Sequence, residues 1–145
     1  MILTQKRGAG YWLWKPYIIL KTLQSMTDGD FLMYADAGSE YIADVSPLFD
    51  VLEADKRDYV FFRLPYKQSA WTKRDAFVLT GDTLCEINLT SGCDNSLCQS
   101  QLQLNAAFHL WRKSADSIRF VEQWLEFCKD PRILTDIPNE MVNLL

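Results

Sequence analysis

Apolar residues recur along the first forty positions in two different patterns. Ile19 and Leu23 repeat at helical spacing after Pro16, a residue that the first turn of a helix accepts because its missing N–H has no partner there. The turn residues Asp28-Gly29-Asp30 then end the helix. The uninterrupted apolar run Phe31–Ala35 predicts a strand covered on both faces, as is typical of a parallel sheet. The pattern therefore predicts a helix followed by a buried strand that ends on an acid.

The same periodicities predict five further elements downstream. In chain order they are a helix over 46–52, a strand over 59–64, a helix over 71–81, a strand over 104–111 and a helix over 114–129. Ser46, Thr72 and Ser114 are suited to cap the three helices, with Asp75 as the capping-box partner of Thr72 and Gly81 as a left-handed end. The polar stretch from 81 to 100 is predicted to be a long connection, such as a functional lid or a disordered tip.

Composition and charge narrow the class of protein. The 145 residues contain 48% hydrophobic and 23% charged side chains, which is ordinary for a globular protein, and their number fits one domain over 1–145. The net charge of −4 argues against a nucleic-acid partner. The sequence contains neither a long apolar run nor a signal-peptide pattern. We therefore expect a cytoplasmic protein with no transmembrane segment.

The cysteines and the single histidine do not indicate a zinc site. Cys85, Cys93 and Cys98 lack the paired spacing of structural zinc ligands, and His109 lies in an apolar, strand-like run. Reduced thiols are the expectation for a chain without a secretion signal. A histidine in such a run is more typical of a structural residue than of a metal ligand.

Two blocks of the sequence resemble one family of enzymes. The first is Gly10-Tyr11-Trp12-Leu13-Trp14-Lys15-Pro16, followed by Tyr34-Ala35-Asp36-Ala37-Gly38; the second comprises residues 103–108, 110–114 and 120–125. Both are similar, in this order, to nucleotide-sugar glycosyltransferases of the GT-A type. The resemblance implies an α/β fold with a mixed, mainly parallel, Rossmann-like sheet flanked by helices. It also implies a partial domain, truncated at the N-terminal side and at the C-terminal side, because the first βαβ unit and a last helix of the family are missing.

The resemblance also implies an activity and a set of site residues. We expect transfer of a hexose from a nucleotide-diphosphate sugar to an acceptor that is a glycan, a lipid or a protein. The expected donor-binding residues are Trp14, Lys15, Asp36, Ala37, Gly38, Lys73 and Arg74, and the expected sugar or acceptor contacts are Gln103 and Asn105. For Lys73 and Arg74 an exposed surface pair is the alternative. No residue is identified as a catalytic base.

A divalent cation is the expected cofactor, because Mn²⁺ or Mg²⁺ offsets charge on a diphosphate leaving group and prefers oxygen ligands. Asp36 is the expected ligand. The alternative is that Asp36 has a structural role, as an acid at the end of a strand that caps a turn. The sequence departs from the family motif at Gly38, where the second acid of an Asp-x-Asp motif would stand, and Glu40 is the substitute.

Two other functions are open at this point. A non-catalytic remnant of a glycosyltransferase, serving as a binding or assembly module, is consistent with the missing second acid. A Rossmann-like domain for another nucleotide lacks its glycine-rich motif. Apolar surface at both ends of the chain leads us to expect a homo-oligomer.

Overall fold

The computed structural model describes residues 2–81 and 102–141, and its elements follow the predicted order. They are α1 (Trp14–Ser25), β1 (Phe31–Ala35), α2 (Ser46–Ala54), β2 (Tyr59–Lys67), α3 (Arg74–Thr80), β3 (Leu102–Arg112), α4 (Ala115–Cys128) and α5 (Pro131–Leu134). Short 3₁₀ turns occupy Ile2–Thr4 and Gln68–Ala70. The connection predicted over 81–100 lies, beyond Gly81, outside the described residues. Within the described ranges no helix is both long and apolar enough to span a membrane.

Contacts divide the chain into two compact units. The sheet unit contains Lys15–Arg63 and Leu104–Trp124, and the terminal unit contains Met1–Trp14, Leu64–Gln103 and Leu125–Leu145. Each unit is therefore assembled from segments far apart in the sequence.

The sheet unit is built on three strands in the order β1-β3-β2. β1 pairs antiparallel with β3, with Phe31 opposite Arg112 and Ala35 opposite Phe108. The whole sheet is antiparallel. The prediction of a mainly parallel, GT-A-like sheet is therefore wrong. An apolar run such as Phe31–Ala35 predicts a strand, but the direction of its neighbour depends on the path of the connections, which the run does not encode.

Aliphatic and aromatic side chains fill the core of the sheet unit. Leu23, Leu52, Leu110, Trp111 and Val121 are completely buried. Around Trp111 lie the rings of Tyr59, Phe61 and Phe120, with centroids 5.3 to 5.8 Å from its own. Aromatic pairs at these separations add to the stability gained by burial.

Two of the predicted N-caps lie on the helices of this unit, and they differ in outcome. The Ser114 hydroxyl accepts the Ser117 N–H at 3.0 Å, so the cap of α4 is confirmed. The cap of α2 is wrong in detail. Ser46 is the first residue of that helix, and its N–H donates to the Asp44 carboxylate at 3.0 Å.

The terminal unit contains a left-handed turn over residues 8–12, after its first 3₁₀ turn. Every residue from Gly8 to Trp12 has a positive φ, including Ala9, Tyr11 and Trp12, where L-residues are strained. Local hydrogen bonds hold this backbone, among them Tyr11 N–H to Arg7 O at 2.8 Å and Trp12 N–H to Gly8 O at 3.1 Å. A side chain at Gly10 would lie 2.9 Å from the Leu3 Cα.

The buried carboxylate of Asp75 ties α3 to the segment 139–141. It accepts the N–H groups of Glu140 and Met141 at 2.8 and 3.1 Å, while the Asp75 N–H donates to Asn139 at 3.2 Å. The predicted capping box of Thr72 and Asp75 is therefore wrong, because the carboxylate is used by residues distant in sequence. The left-handed end at Gly81 is confirmed, with a φ of 78°.

Gly10→Ala should destabilise the protein by about 1–3 kcal/mol, because it adds a Cβ against the Leu3 backbone at a φ of +93°. Gly38→Ala is the matched control, since a Cβ there meets nothing within 4 Å. Denaturant unfolding of both variants tests this. Equal stabilities for the two would contradict the left-handed turn.

Asp75→Asn should lower the free energy of unfolding by about 1–3 kcal/mol, because an amide cannot accept both backbone N–H groups as a carboxylate does. Asp55→Asn serves as the control: its exposed carboxylate pairs with exposed Arg57, 2.9 Å away. Thermal unfolding followed by circular dichroism measures both. A loss no larger for Asp75→Asn than for the control would contradict the contacts of Asp75.

Candidate functional site

A lysine–aspartate ion pair stands at the carboxyl end of β1. Lys15, in the first turn of α1, places Nζ 2.8 Å from Oδ1 and 3.0 Å from Oδ2 of Asp36, the residue that follows the strand. Nζ also donates to the Ala106 carbonyl of β3 at 3.3 Å. Lys15 is only 7% exposed, and these three oxygens hold its ammonium inside the protein. The two segments of the first block, residues 10–16 and 34–38, therefore meet in one contact.

The β1 backbone brings Tyr34 to the same carboxylate. Side chains two residues apart in a strand point to the same side, and the Tyr34 hydroxyl donates to Asp36 Oδ1 at 2.6 Å. The Lys15 ammonium lies 5.5 Å from the centroid of the Tyr34 ring, which adds a cation–π contact. The carboxylate is thus oriented by two donors.

His109 supports the tyrosine from the neighbouring strand. It is the register partner of Tyr34, and the two rings stack with centroids 4.8 Å apart and planes 12° from parallel. His109 is completely buried, and its Nδ1 accepts the indole N–H of Trp111 at 2.7 Å. This bond leaves the neutral ring with its proton on Nε2. The prediction of a structural histidine agrees with this position.

Burial, hydrogen bonds and neighbouring charges shift the pKa values of Asp36, Tyr34 and His109. Partial burial alone would raise the pKa of Asp36, but hydrogen bonds from Lys15 and Tyr34, together with the Lys15 charge, hold it below its ordinary value. Burial, followed by the hydrogen bond to Asp36 and its charge, raises the pKa of Tyr34. Burial, followed by the Lys15 charge, lowers the pKa of His109 to about 4. At neutral pH Asp36 is therefore ionised, whereas Tyr34 and His109 are neutral.

The carboxylate of Asp36 remains accessible from outside. Its side chain is 38% exposed, against 8% for that of Lys15. Ala37 and Gly38 are exposed in the turn that follows, and no atom lies within 4 Å of a Cβ built at Gly38. Glu40 is exposed as well. A ligand thus has room to approach Asp36 past small residues.

The described residues contain no cluster of three or more histidine, cysteine, aspartate or glutamate side chains placed to hold a metal ion. A divalent cation at Asp36 would therefore need ligand oxygens from substrate phosphates and water, as Mg²⁺ commonly takes them.

The expected sugar contacts lie near the start of β3. The carbonyl of Ala107 accepts the Asp36 N–H at 2.9 Å, so this part of β3 runs beside the end of β1. Asn105 precedes it by two residues, and its side-chain oxygen accepts the Ala107 N–H at 2.8 Å. Gln103 belongs to the terminal unit and is half-buried. The structure thus keeps Asn105 close in the strand to the residues that meet Asp36.

The remaining predicted donor contacts lie in the terminal unit. The Trp14 indole N–H donates to the Gly8 carbonyl at 3.0 Å, and this hydrogen bond stabilises the left-handed turn. Lys73 donates to the carbonyls of Thr135 and Ile137 at 3.3 and 2.8 Å. Arg74 is half-buried at the start of α3. Trp14 and Lys73 therefore have structural partners within their own unit.

The terminal unit also has an open depression of about 660 Å³. Leu79, Phe127 and Ile133 contribute to its lining, along with the charged pair Asp130 and Arg132. These two charges lie 2.6 Å from each other.

Tyr34 and His109 are absent from the set of site residues predicted from the sequence. Tyr34 was identifiable from the sequence, because side chains two residues apart in a predicted strand lie on the same side, and Tyr34 precedes Asp36 by two residues. The contact of His109 with Tyr34 depends on the antiparallel register, which the sequence pattern did not reveal.

The proton affinity of His109 gives a direct test of this arrangement. A histidine with a folded pKa of about 4 against an ordinary 6.5 binds fewer protons when folded, so stability should fall as the pH drops from 6.5 towards 4, by up to about 3 kcal/mol. Because the sequence has one histidine, the imidazole C–H resonances in NMR spectra belong to His109 and should titrate near pH 4. A midpoint near 6.5 would contradict the burial of His109.

Comparisons of this chain with protein-family models, with curated proteins and with solved structures find no match. The resemblance to glycosyltransferases therefore stays a prediction from the motifs. What the chain does is inferred from the chemistry of the Lys15–Asp36 site together with that prediction.

Proposed function

We propose that this chain is a glycosyltransferase domain that binds a nucleotide-diphosphate sugar and transfers its hexose to an acceptor. The observation that carries the proposal is the contact between Lys15 and Asp36, 2.8 Å apart, which joins the two segments of the first block that resembles this enzyme class. The site stands where a strand ends beside small, exposed residues. That setting suits a ligand that must approach the backbone.

Charge balance supports an anionic donor at this site. An exposed carboxylate by itself repels a diphosphate, because like charges a few ångströms apart cost free energy. The Lys15 ammonium neutralises the Asp36 charge at short range while leaving the carboxylate accessible. Asp36 is then able to accept hydrogen bonds from sugar hydroxyl groups without repelling the phosphates.

A divalent cation, Mn²⁺ or Mg²⁺, is part of the proposal. When bound, it stabilises the charge that develops on the leaving diphosphate. Asp36 is the protein ligand proposed for it, and Glu40, two residues past Gly38, is the second candidate. Because Lys15 already neutralises Asp36, we expect the cation to bind together with the donor phosphates rather than before them.

A binding module without transferase activity is the second candidate. It is favoured by Gly38, which leaves Asp36 without the second acid of the family motif. Such a module would bind the donor but would not cleave it. Release of hexose from the donor, measured with and without an acceptor, separates the two functions: hydrolysis or transfer supports the enzyme, and its absence in a protein that binds donor supports the module.

The donor site is tested by calorimetric titration with UDP-glucose, UDP-galactose and GDP-mannose, with and without Mn²⁺. We expect at least one donor to bind with a Kd of about 1 μM to 1 mM, the range of ordinary substrates. Asp36→Asn should weaken this binding about tenfold or more, because it removes the charge that holds Lys15 and meets the ligand.

Asp50→Asn is the control, because this exposed acid of α2 is not part of the site. Its affinity should equal that of the unmodified chain. Donor binding that Asp36→Asn leaves unchanged would contradict the proposed site, and a folded protein that binds none of the three donors would contradict the proposed function.

A further inference from the structure

The two oxygens of the Asp36 carboxylate accept hydrogen bonds from different side chains. Oδ1 accepts the Tyr34 hydroxyl at 2.6 Å. Oδ2 accepts a hydrogen bond from the Lys15 ammonium at 3.0 Å, while that ammonium lies 2.8 Å from Oδ1. A carboxylate oxygen has about two acceptor positions, so these two donors leave the carboxylate able to accept a hydrogen bond from a ligand.

Packing fixes the orientation of the tyrosine that donates to Oδ1. The Tyr34 ring is stacked on His109, and His109 is held by the indole of Trp111 at 2.7 Å and contacts the ring of Phe61 at 5.4 Å. His109 and Trp111 are both completely buried. The hydroxyl of Tyr34 is therefore presented to Asp36 from a rigid support rather than from a mobile side chain.

We propose that Tyr34 is a positioning residue for the donor, with its hydroxyl holding the Asp36 carboxylate in the orientation that meets the bound nucleotide sugar. This inference rests on the proposed function, since it concerns how the same site holds its ligand. Tyr34 acts through Asp36 and makes no contact with the donor itself. A carboxylate held in one orientation loses less conformational freedom when the ligand binds.

A double-mutant cycle on donor affinity tests this role. The variants are Tyr34→Phe, Asp36→Asn and the two combined, titrated with the donor among UDP-glucose, UDP-galactose and GDP-mannose that binds the unmodified chain. Tyr34→Phe keeps the ring on His109 and removes only the hydroxyl. It should weaken binding about fivefold to twentyfold in the unmodified chain, as expected for loss of a hydrogen bond to a charged group. In the Asp36→Asn background it should weaken binding less than about twofold.

The controls separate positioning from folding. Tyr59→Phe removes a hydroxyl from a ring that packs on Trp111 and Phe120 in the same unit, and its Kd should not change. Thermal unfolding should show that each variant is folded. If Asp36→Asn does not fold because Lys15 loses its charge partner, Lys15→Met/Asp36→Asn replaces it as the background, since that pair removes both charges.

The outcomes distinguish this inference from the proposed function. Equal losses from Tyr34→Phe in both backgrounds would overturn the positioning role while leaving donor binding intact. No loss from Tyr34→Phe in the unmodified chain would overturn it as well. Failure of the unmodified, folded chain to bind any of the three donors would overturn the proposed function and, with it, this inference.

Discussion

A lysine ammonium that is nearly excluded from water must donate hydrogen bonds to oxygen atoms, because an unpaired buried charge costs several kcal/mol. Lys15 meets this requirement with both oxygens of Asp36 and the Ala106 carbonyl. These three partners belong to the end of β1 and to β3, so the requirement links α1 to the sheet. The same contact leaves the outer side of Asp36 accessible. One electrostatic constraint thus bears on both the packing of the sheet unit and the chemistry of its edge.

The aromatic layer below the ion pair explains why the carboxylate has a defined orientation. Tyr34 and His109 face each other across the β1–β3 ladder, and Trp111 follows His109 on the same side of β3. Stacking and the Trp111–His109 hydrogen bond hold the neutral imidazole under the tyrosine. The effective dielectric constant of such a neutral, rigid layer is lower than that of water. The electrostatic attraction between Lys15 and Asp36 is therefore screened less than it would be by mobile water.

Local patterns predicted the elements well, whereas long-range partners were not predictable. Pro16, the Phe31–Ala35 run and Ser114 specify the starts of α1, β1 and α4 through short-range physics, and the structure agrees. The direction of the sheet was predicted wrongly, because an apolar strand is compatible with neighbours in either direction. The sequence pattern predicts a local helix cap for Asp75, but its hydrogen-bond partners Glu140 and Met141 come 65 and 66 residues later. Of the candidate site, Lys15 and Asp36 were predicted from the motifs, but the contribution of His109 required the register.

The central claim is that the Lys15 ammonium is held by Asp36, and the most direct measurement is of that ammonium group itself by ¹⁵N-resolved NMR. A charged amine held by a carboxylate and a carbonyl away from water exchanges its protons slowly. The account therefore predicts an observable Lys15 ammonium signal at neutral pH that is lost or strongly shifted in Asp36→Asn. A Lys15 ammonium in fast exchange with water, or one that Asp36→Asn leaves unchanged, would contradict the account.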